Sequence, residues 1–259
     1  MSLSLPEGDG PLRRERLRTA RLYFVCEARP SGDLERLLRA ALTGGADIVQ
    51  LREKKLGRAE IERAAGTFRR VADTFSALFI VNDDPELARA CDADGVHLGQ
   101  EDGSPEEARK ILGPDAIIGL STHSKEQISA AGGAPDQADQ GRRERGVLRT
   151  RATEDADMRR SGASSSIDYI SVGPIWETPT KEGRPAVGID LIRHAAESAP
   201  HPFFAIGGID ADNAPEVVRA GAERLCVVRA VRDAADPTAA ATALRQAFAD
   251  SERGVAPGG

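Results

Sequence analysis

The sequence predicts an α/β fold of one domain, a closed (β/α)8 TIM barrel. Three observations carry this prediction. Eight short apolar runs alternate with eight segments of helical spacing. The runs are mostly apolar on both faces, as strands of a buried parallel sheet are. Polar and glycine-rich residues gather at their C-terminal ends, where barrels of this kind carry their sites. An open doubly wound sheet is the alternative, but it does not call for eight such regular units.

Residues 1–18 are rich in Gly, Pro, Arg and Glu and are expected to be a flexible tail, with a short helix over 12–17 at most. The barrel is expected over 19–250 and a second tail over 251–259. The first strand is read at 22–26, where Leu, Tyr, Phe, Val and Cys follow one another. The helix after it covers 33–42, with Leu34, Leu37, Leu38 and Ala41 on one face and Gly44 and Gly45 ending it. Further strands are read at 47–51, 78–81, 95–98, 116–120, 169–172, 203–206 and 225–228. Their helices fall at 58–75, 85–91, 105–112, 124–131, 189–198, 214–220 and 237–249. Pro85 and Pro105 suit the first turn of a helix, and the carboxylates of Glu106 and Glu107 suit its positive end.

One segment breaks the pattern. Residues 132–166 hold seven Arg against six acidic residues and almost no large apolar side chain. The segment falls between the fifth helix and the sixth strand, hence at the end of the barrel away from the active face. It is expected to be a solvated, partly disordered insertion.

Composition excludes several classes. The 259 residues carry a net charge of −6, which argues against a general nucleic-acid binder while leaving room for a small anion held locally. No apolar run approaches the roughly 18 residues of a membrane span, and residues 1–18 lack the apolar centre of a signal peptide. Cys26, Cys91 and Cys226 lie in or beside apolar runs without metal-ligand spacing, as buried thiols in a reducing, cytoplasmic setting would. His97, His123, His194 and His201 form no cluster. The composition is also compatible with a homo-oligomer.

The strand ends carry the chemistry. After strand two comes QLREK at 50–54. With a period of two, Gln50, Arg52 and Lys54 project to one side, and Leu51 and Glu53 to the other. Two cations and an amide at the barrel mouth suit a polyanion. Asn82, Asp83 and Asp84 follow strand three, and Gly99 to Asp102 follow strand four. Carboxylates on neighbouring loops can share a hard cation such as Mg2+, which takes one or two of them and fills its shell with phosphate oxygens and water. Asp83 and Asp102 are read as that pair, and Asp84 as the cap of the helix opened by Pro85. Ser121, Thr122 and His123 follow strand five. No nucleophile elbow surrounds them, so substrate contact by a hydroxyl is the better reading. After strand six, Gly173 and Pro174 break the strand and lead into Thr178, Pro179, Thr180 and Lys181, two hydroxyls and an ammonium on a loop stiffened by proline. Trp176 and Glu177 are read as packing and loop surface. After strand seven, Gly207 and Gly208 let backbone N–H groups approach a phosphate, and Val228 and Arg229 follow strand eight. The seventh and eighth loops are the usual phosphate site of such a barrel. Two anionic regions thus emerge, as a diphosphate and a monophosphate substrate would require.

These motifs resemble the thiamine-phosphate synthase family. The resemblance rests on QLREK at 50–54, Asn82-Asp83, GVHLGQED at 95–102, STH at 121–123, VGPI at 172–175 with TPTK at 178–181, and AIGGI at 205–209, in that family's order. It implies an enzyme that joins hydroxymethylpyrimidine diphosphate to thiazole phosphate, releasing pyrophosphate. By that pattern Gln50, Leu51, Arg52, Glu53, Lys54, Asn82, Ser121 and Lys181 would bind the pyrimidine diphosphate. Asp83 and Asp102 would hold Mg2+. Thr178, Pro179, Thr180, Gly207, Gly208, Val228 and Arg229 would bind the thiazole phosphate. Arg52, Lys54, Ser121 and Lys181 would carry the catalysis, by departure of pyrophosphate before capture of the pyrimidine methylene cation. Arg229 departs from the family's usual Ser. A related thiazole tautomerase, for which His123 would matter, and a phosphate binder without turnover are the alternatives.

Overall fold

The computed structural model describes residues 9–30, 32–132, 166–178 and 185–254. Eight parallel strands close into a barrel in chain order, with β8 paired to β1. They are β1 Leu22–Cys26, β2 Ile48–Leu51, β3 Leu78–Asn82, β4 Gly95–Leu98, β5 Ile117–Thr122, β6 Tyr169–Val172, β7 Phe203–Ile206 and β8 Leu225–Val227. Around them, among the described residues, run α1 Gly10–Thr19, α2 Leu34–Thr43, α3 Arg58–Phe75, α4 Pro85–Ala90, α5 Pro105–Leu112, α6 Lys125–Ala130, α7 Ile189–Ser198, α8 Ala214–Arg219, α9 Arg229–Arg232 and α10 Pro237–Gly254.

Local chemistry starts several helices. Asp33 caps α2 by accepting from Arg36 N–H, and Asp84 caps α4 by accepting from Leu87 N–H at 2.9 Å. At α5 the cap is Ser104, in a capping box with Glu107. Asp102 is thereby left free of the helix end.

Alternation along the strands divides the core in two. Leu22, Phe24, Val49, Leu51, Phe79, Val81, Ile118, Ile170 and Leu225 face the helices. Tyr23, Val25, Ile48, Leu78, Ile80, Ile117, Tyr169, Phe204 and Cys226 fill the barrel. Gly119 shows how tight the interior is: a Cβ there would stand 2.2 Å from Cζ of Tyr169, so the missing side chain makes room for the ring.

The N-terminal end of the barrel is closed by a segment expected to be a tail. From residue 10 onward the chain is helix, and Leu17 and Ala20 are buried in the inner core. Arg13 Nε lies 2.8 Å from Asp94 Oδ1, and Arg14 Nε 3.1 Å from Asp168 Oδ1. The short helix expected over 12–17 is thus longer and docked, and periodicity did not show the docking because charge pairs, more than an apolar stripe, hold it. The other tail also begins later than expected, since α10 continues to Gly254.

Three aspartates, each just before an even-numbered strand, brace this end. Asp47, Asp94 and Asp168 accept from the N–H of Leu22 (3.0 Å), Phe79 (2.8 Å) and Ile118 (2.8 Å) on the preceding odd strand. Each also receives an arginine, namely Arg245, Arg69 and Arg109. The fourth equivalent position holds Arg224, which donates to the Arg18 carbonyl at the end of α1. The expected insertion at 132–166 lies outside the described residues except for its ends, Gly132 and Ser166. Ser166 is tied to Glu106 and Arg109. Among the described residues no helix is long and apolar enough to cross a membrane.

Candidate active site

A cavity of about 460 Å³ opens at the C-terminal ends of the strands. Its floor is polar and buried. Gln50 Nε2 donates to Tyr23 Oη at 2.7 Å, and the Tyr23 and Tyr169 oxygens lie 3.0 Å apart. Tyr169 Oη is 3.0 Å from His97 Nδ1, and His97 Nε2 is 3.0 Å from Ser121 Oγ. Ser171 Oγ stands 3.4 Å from the same nitrogen. Burial, and for Tyr23 the neighbouring Tyr169, push both phenols above their usual pKa, so both keep their protons.

One wall is charged. Arg52 and Lys54 line it together with Asn82, Asp83 and Asp102. Lys54 Nζ is 3.4 Å from Asp83 Oδ2. Asp83 adopts a left-handed backbone, φ 68°, held by its N–H bond to the His97 carbonyl at 2.8 Å. Asp102 accepts from Gly99 N–H at 2.9 Å. Burial raises the Asp83 carboxyl above the usual range, and the adjacent Asp102 carboxylate adds to this, while Lys54 opposes it. Two neighbouring carboxylates whose charges oppose one another form an oxygen donor pair that a hard divalent cation would relieve.

The opposite wall is built from backbone and hydroxyls. Gly207, Gly208, Val228 and Arg229 line it, with Thr178. Gly207 has φ 106°, and a Cβ there would come 2.4 Å from Pro174 Cα, so the turn tolerates only glycine. The loop after β6 is stitched to this turn by Ile175 N–H on the Ile206 carbonyl (3.0 Å) and Trp176 N–H on the Gly207 carbonyl (3.2 Å).

The structure thus gathers Gln50, Arg52, Lys54, Asn82, Asp83, Asp102, Ser121, Thr178, Gly207, Gly208, Val228 and Arg229 around one cavity. It does not bring Leu51 or Glu53 there. Leu51 faces the helices, and the exposed Glu53 carboxylate accepts the N–H groups of Lys54 (2.9 Å) and Lys55 (2.8 Å). These two had been included as members of the motif, against the alternation that turns them away. Pro179, Thr180 and Lys181 lie outside the described residues. His123 is bonded through Nδ1 to the Gly173 carbonyl and does not line the cavity. Tyr23, His97 and Ser171 do line it and were given no role from sequence. Their signal was parity, since each shares the inward register of Gln50 and Ser121.

The family model described as thiamine monophosphate synthase matches residues 22–140 and 148–231. A thiamine-phosphate synthase of Saccharopolyspora erythraea is 43% identical over 249 residues, covering 93% of this chain and 98% of that one. That of Mycobacterium leprae is 44% identical over 240 residues, covering 88% and 91%. Among solved structures, a thiamine phosphate pyrophosphorylase from Pyrococcus furiosus superposes with a TM-score of 0.69 at 30% identity, over 92% of this chain and 98% of that one. With this extent of identity on a shared barrel, the chain belongs to the thiamine-phosphate synthase family of transferases.

Proposed function

We propose that the chain joins 4-amino-2-methyl-5-hydroxymethylpyrimidine diphosphate to 4-methyl-5-(2-phosphoethyl)thiazole, giving thiamine phosphate and pyrophosphate, or to its carboxylated form, giving the same products with loss of the carboxyl group as CO2. The observation that supports this reading is that one cavity is lined both by Arg52 and Lys54 beside Asp83 and Asp102 and by Thr178 beside Gly207 and Gly208, two sets of groups suited to anions.

In this reading the bond between the pyrimidine methylene and the diphosphate oxygen breaks first, and the electron pair leaves with pyrophosphate. Arg52 and Lys54 hold the leaving group and stabilise the charge growing on it. Asp83 and Asp102 would hold Mg2+, which when bound supplies further neutralisation of that charge. Gln50 and Ser121 on the cavity floor and Asn82 on the charged wall orient the pyrimidine half. The thiazole nitrogen then donates its lone pair to the methylene cation. Thr178, the N–H groups of the Gly207–Gly208 turn, and Val228 with Arg229 place the thiazole by its phosphate. Arg229 offers a guanidinium in place of a hydroxyl, a fork that matches phosphate oxygens. No general base is needed for the joining step.

The test supplies both substrates with Mg2+ and follows pyrophosphate and thiamine phosphate together. Equal amounts of the two are expected. A tautomerase or a binder without turnover would form neither, and that result overturns the reading.

A further inference from the structure

The hydrogen-bond chain under the cavity has a direction. Gln50, Tyr23, Tyr169, His97 and Ser121 are all buried, at 3%, 1%, 0%, 8% and 3% exposure, so water does not supply alternative partners to the phenols. Tyr23 Oη receives the Gln50 amide N–H, at 2.7 Å. A phenol has one proton to give. The other oxygen hydrogen-bonded to Tyr23 is that of Tyr169, 3.0 Å away, a better acceptor than the nearby Cys226 thiol, so that proton goes to Tyr169. Tyr169 has therefore accepted, and its own proton goes to His97 Nδ1, also at 3.0 Å. A ring nitrogen that accepts carries no hydrogen. The neutral imidazole then bears its hydrogen on Nε2, which donates to Ser121 Oγ at 3.0 Å. Ser171 Oγ donates to the same oxygen at 3.5 Å. Two inward donations leave the Ser121 proton to point into the cavity that the serine lines.

We propose that Tyr23 and Tyr169 are positioning residues, which transmit one direction of hydrogen bonding from Gln50 to His97, hold His97 as its Nε2–H tautomer and so make Ser121 a hydrogen-bond donor to the ligand. The ligand group facing Ser121 is then an acceptor, a ring nitrogen or an anionic oxygen. Reversal of the chain would turn the Ser121 proton inward and offer the ligand only a lone pair. The inference rests on the reading of Ser121 as a substrate contact, but its first test needs no substrate.

In the 15N-labelled wild-type protein, two-bond 1H–15N correlation spectra should show His97, assigned by the loss of its signals in His97→Gln, as the Nε2–H tautomer. The Nδ1–H tautomer would overturn the proposal. Tyr169→Phe removes the donor to Nδ1. It should convert His97 to a tautomer mixture and lower kcat by about tenfold, the loss of one oriented hydrogen bond, with KM for the pyrimidine diphosphate changed less. The double variant with Ser121→Ala should be no slower than Ser121→Ala alone. Unchanged tautomer and rate in Tyr169→Phe, or rate losses that multiply in the double variant, would also overturn it. Should Tyr169→Phe fail to fold, the wild-type spectrum still decides. Absence of thiamine phosphate synthesis by the wild-type protein would count against the substrate reading and leave the tautomer result standing.

Discussion

Lys54 Nζ stands 3.4 Å from Asp83 Oδ2, so the cationic wall of the cavity touches its carboxylate pair before any substrate arrives. Lys54 is half exposed, and the ion pair itself adds little to stability. Its position on the cavity beside the Asp83 carboxylate matters more. Lys54→Ala is expected to lower kcat/KM for the pyrimidine diphosphate by roughly ten- to a hundredfold, the range of one charge-assisted hydrogen bond. The KM for the thiazole phosphate should change far less. Steady-state kinetics with each substrate varied in turn checks this, and equal losses for both would reject the assignment of the wall.

Asp83 is a carboxyl whose ionisation burial makes costlier and the neighbouring Asp102 makes costlier still. Asp102→Asn is therefore expected to raise the Mg2+ concentration for half-maximal rate at least about tenfold while leaving the fold intact. A titration of rate against Mg2+ measures it. Full turnover by the unaltered enzyme in excess chelator would remove the metal from the scheme.

At the opposite end of the barrel, Leu17 is 3% exposed and belongs to the inner core, in one cluster with Leu78 and Ile117. Leu17→Ala should cost about 2–5 kcal/mol of unfolding free energy, with kcat of the folded fraction within about twofold of the parent. Urea unfolding followed by circular dichroism provides the number. A loss below about 0.5 kcal/mol would show that α1 does not contribute to the barrel's closure.

His201 gives a pH dependence. Burial lowers its pKa below the ordinary 6.5, and the hydrogen bond from Nε2 to the Ala131 carbonyl, at 3.1 Å, offsets this only in part. The unfolded chain therefore takes up the proton first as pH falls. Stability contributed by neutral His201 is full above about pH 6.5 and is lost as pH drops from there through the folded-state value. His201→Gln should reduce the fall in Tm between pH 7.5 and pH 5. An identical fall in parent and variant would exclude the residue as a source of acid sensitivity.

The barrel was legible because its signals are local. Leu34, Leu37, Leu38 and Ala41 show a helix by spacing, and each strand shows itself as a short apolar run. The side-by-side placement of Gln50, Arg52 and Lys54 followed from a period of two, and the structure puts all three on the cavity. The same rule turned Leu51 and Glu53 away, and motif membership was a poorer guide to them than alternation. The short helix expected over 12–17 is α1, but its docking was not legible, because Arg13 and Arg14 find their partners 81 and 154 residues away, at Asp94 and Asp168.

By itself, then, the sequence determined the eight units, the face each strand residue takes, and the end of the barrel where polar residues collect. Only the tertiary structure decided which of those residues meet. Tyr23 reaches Tyr169 across 146 positions, and Tyr169 reaches His97 across 72. Periodicity acts over a few residues of one element. Contacts between elements depend on strand register and on the closure of β8 against β1, which no local pattern specifies.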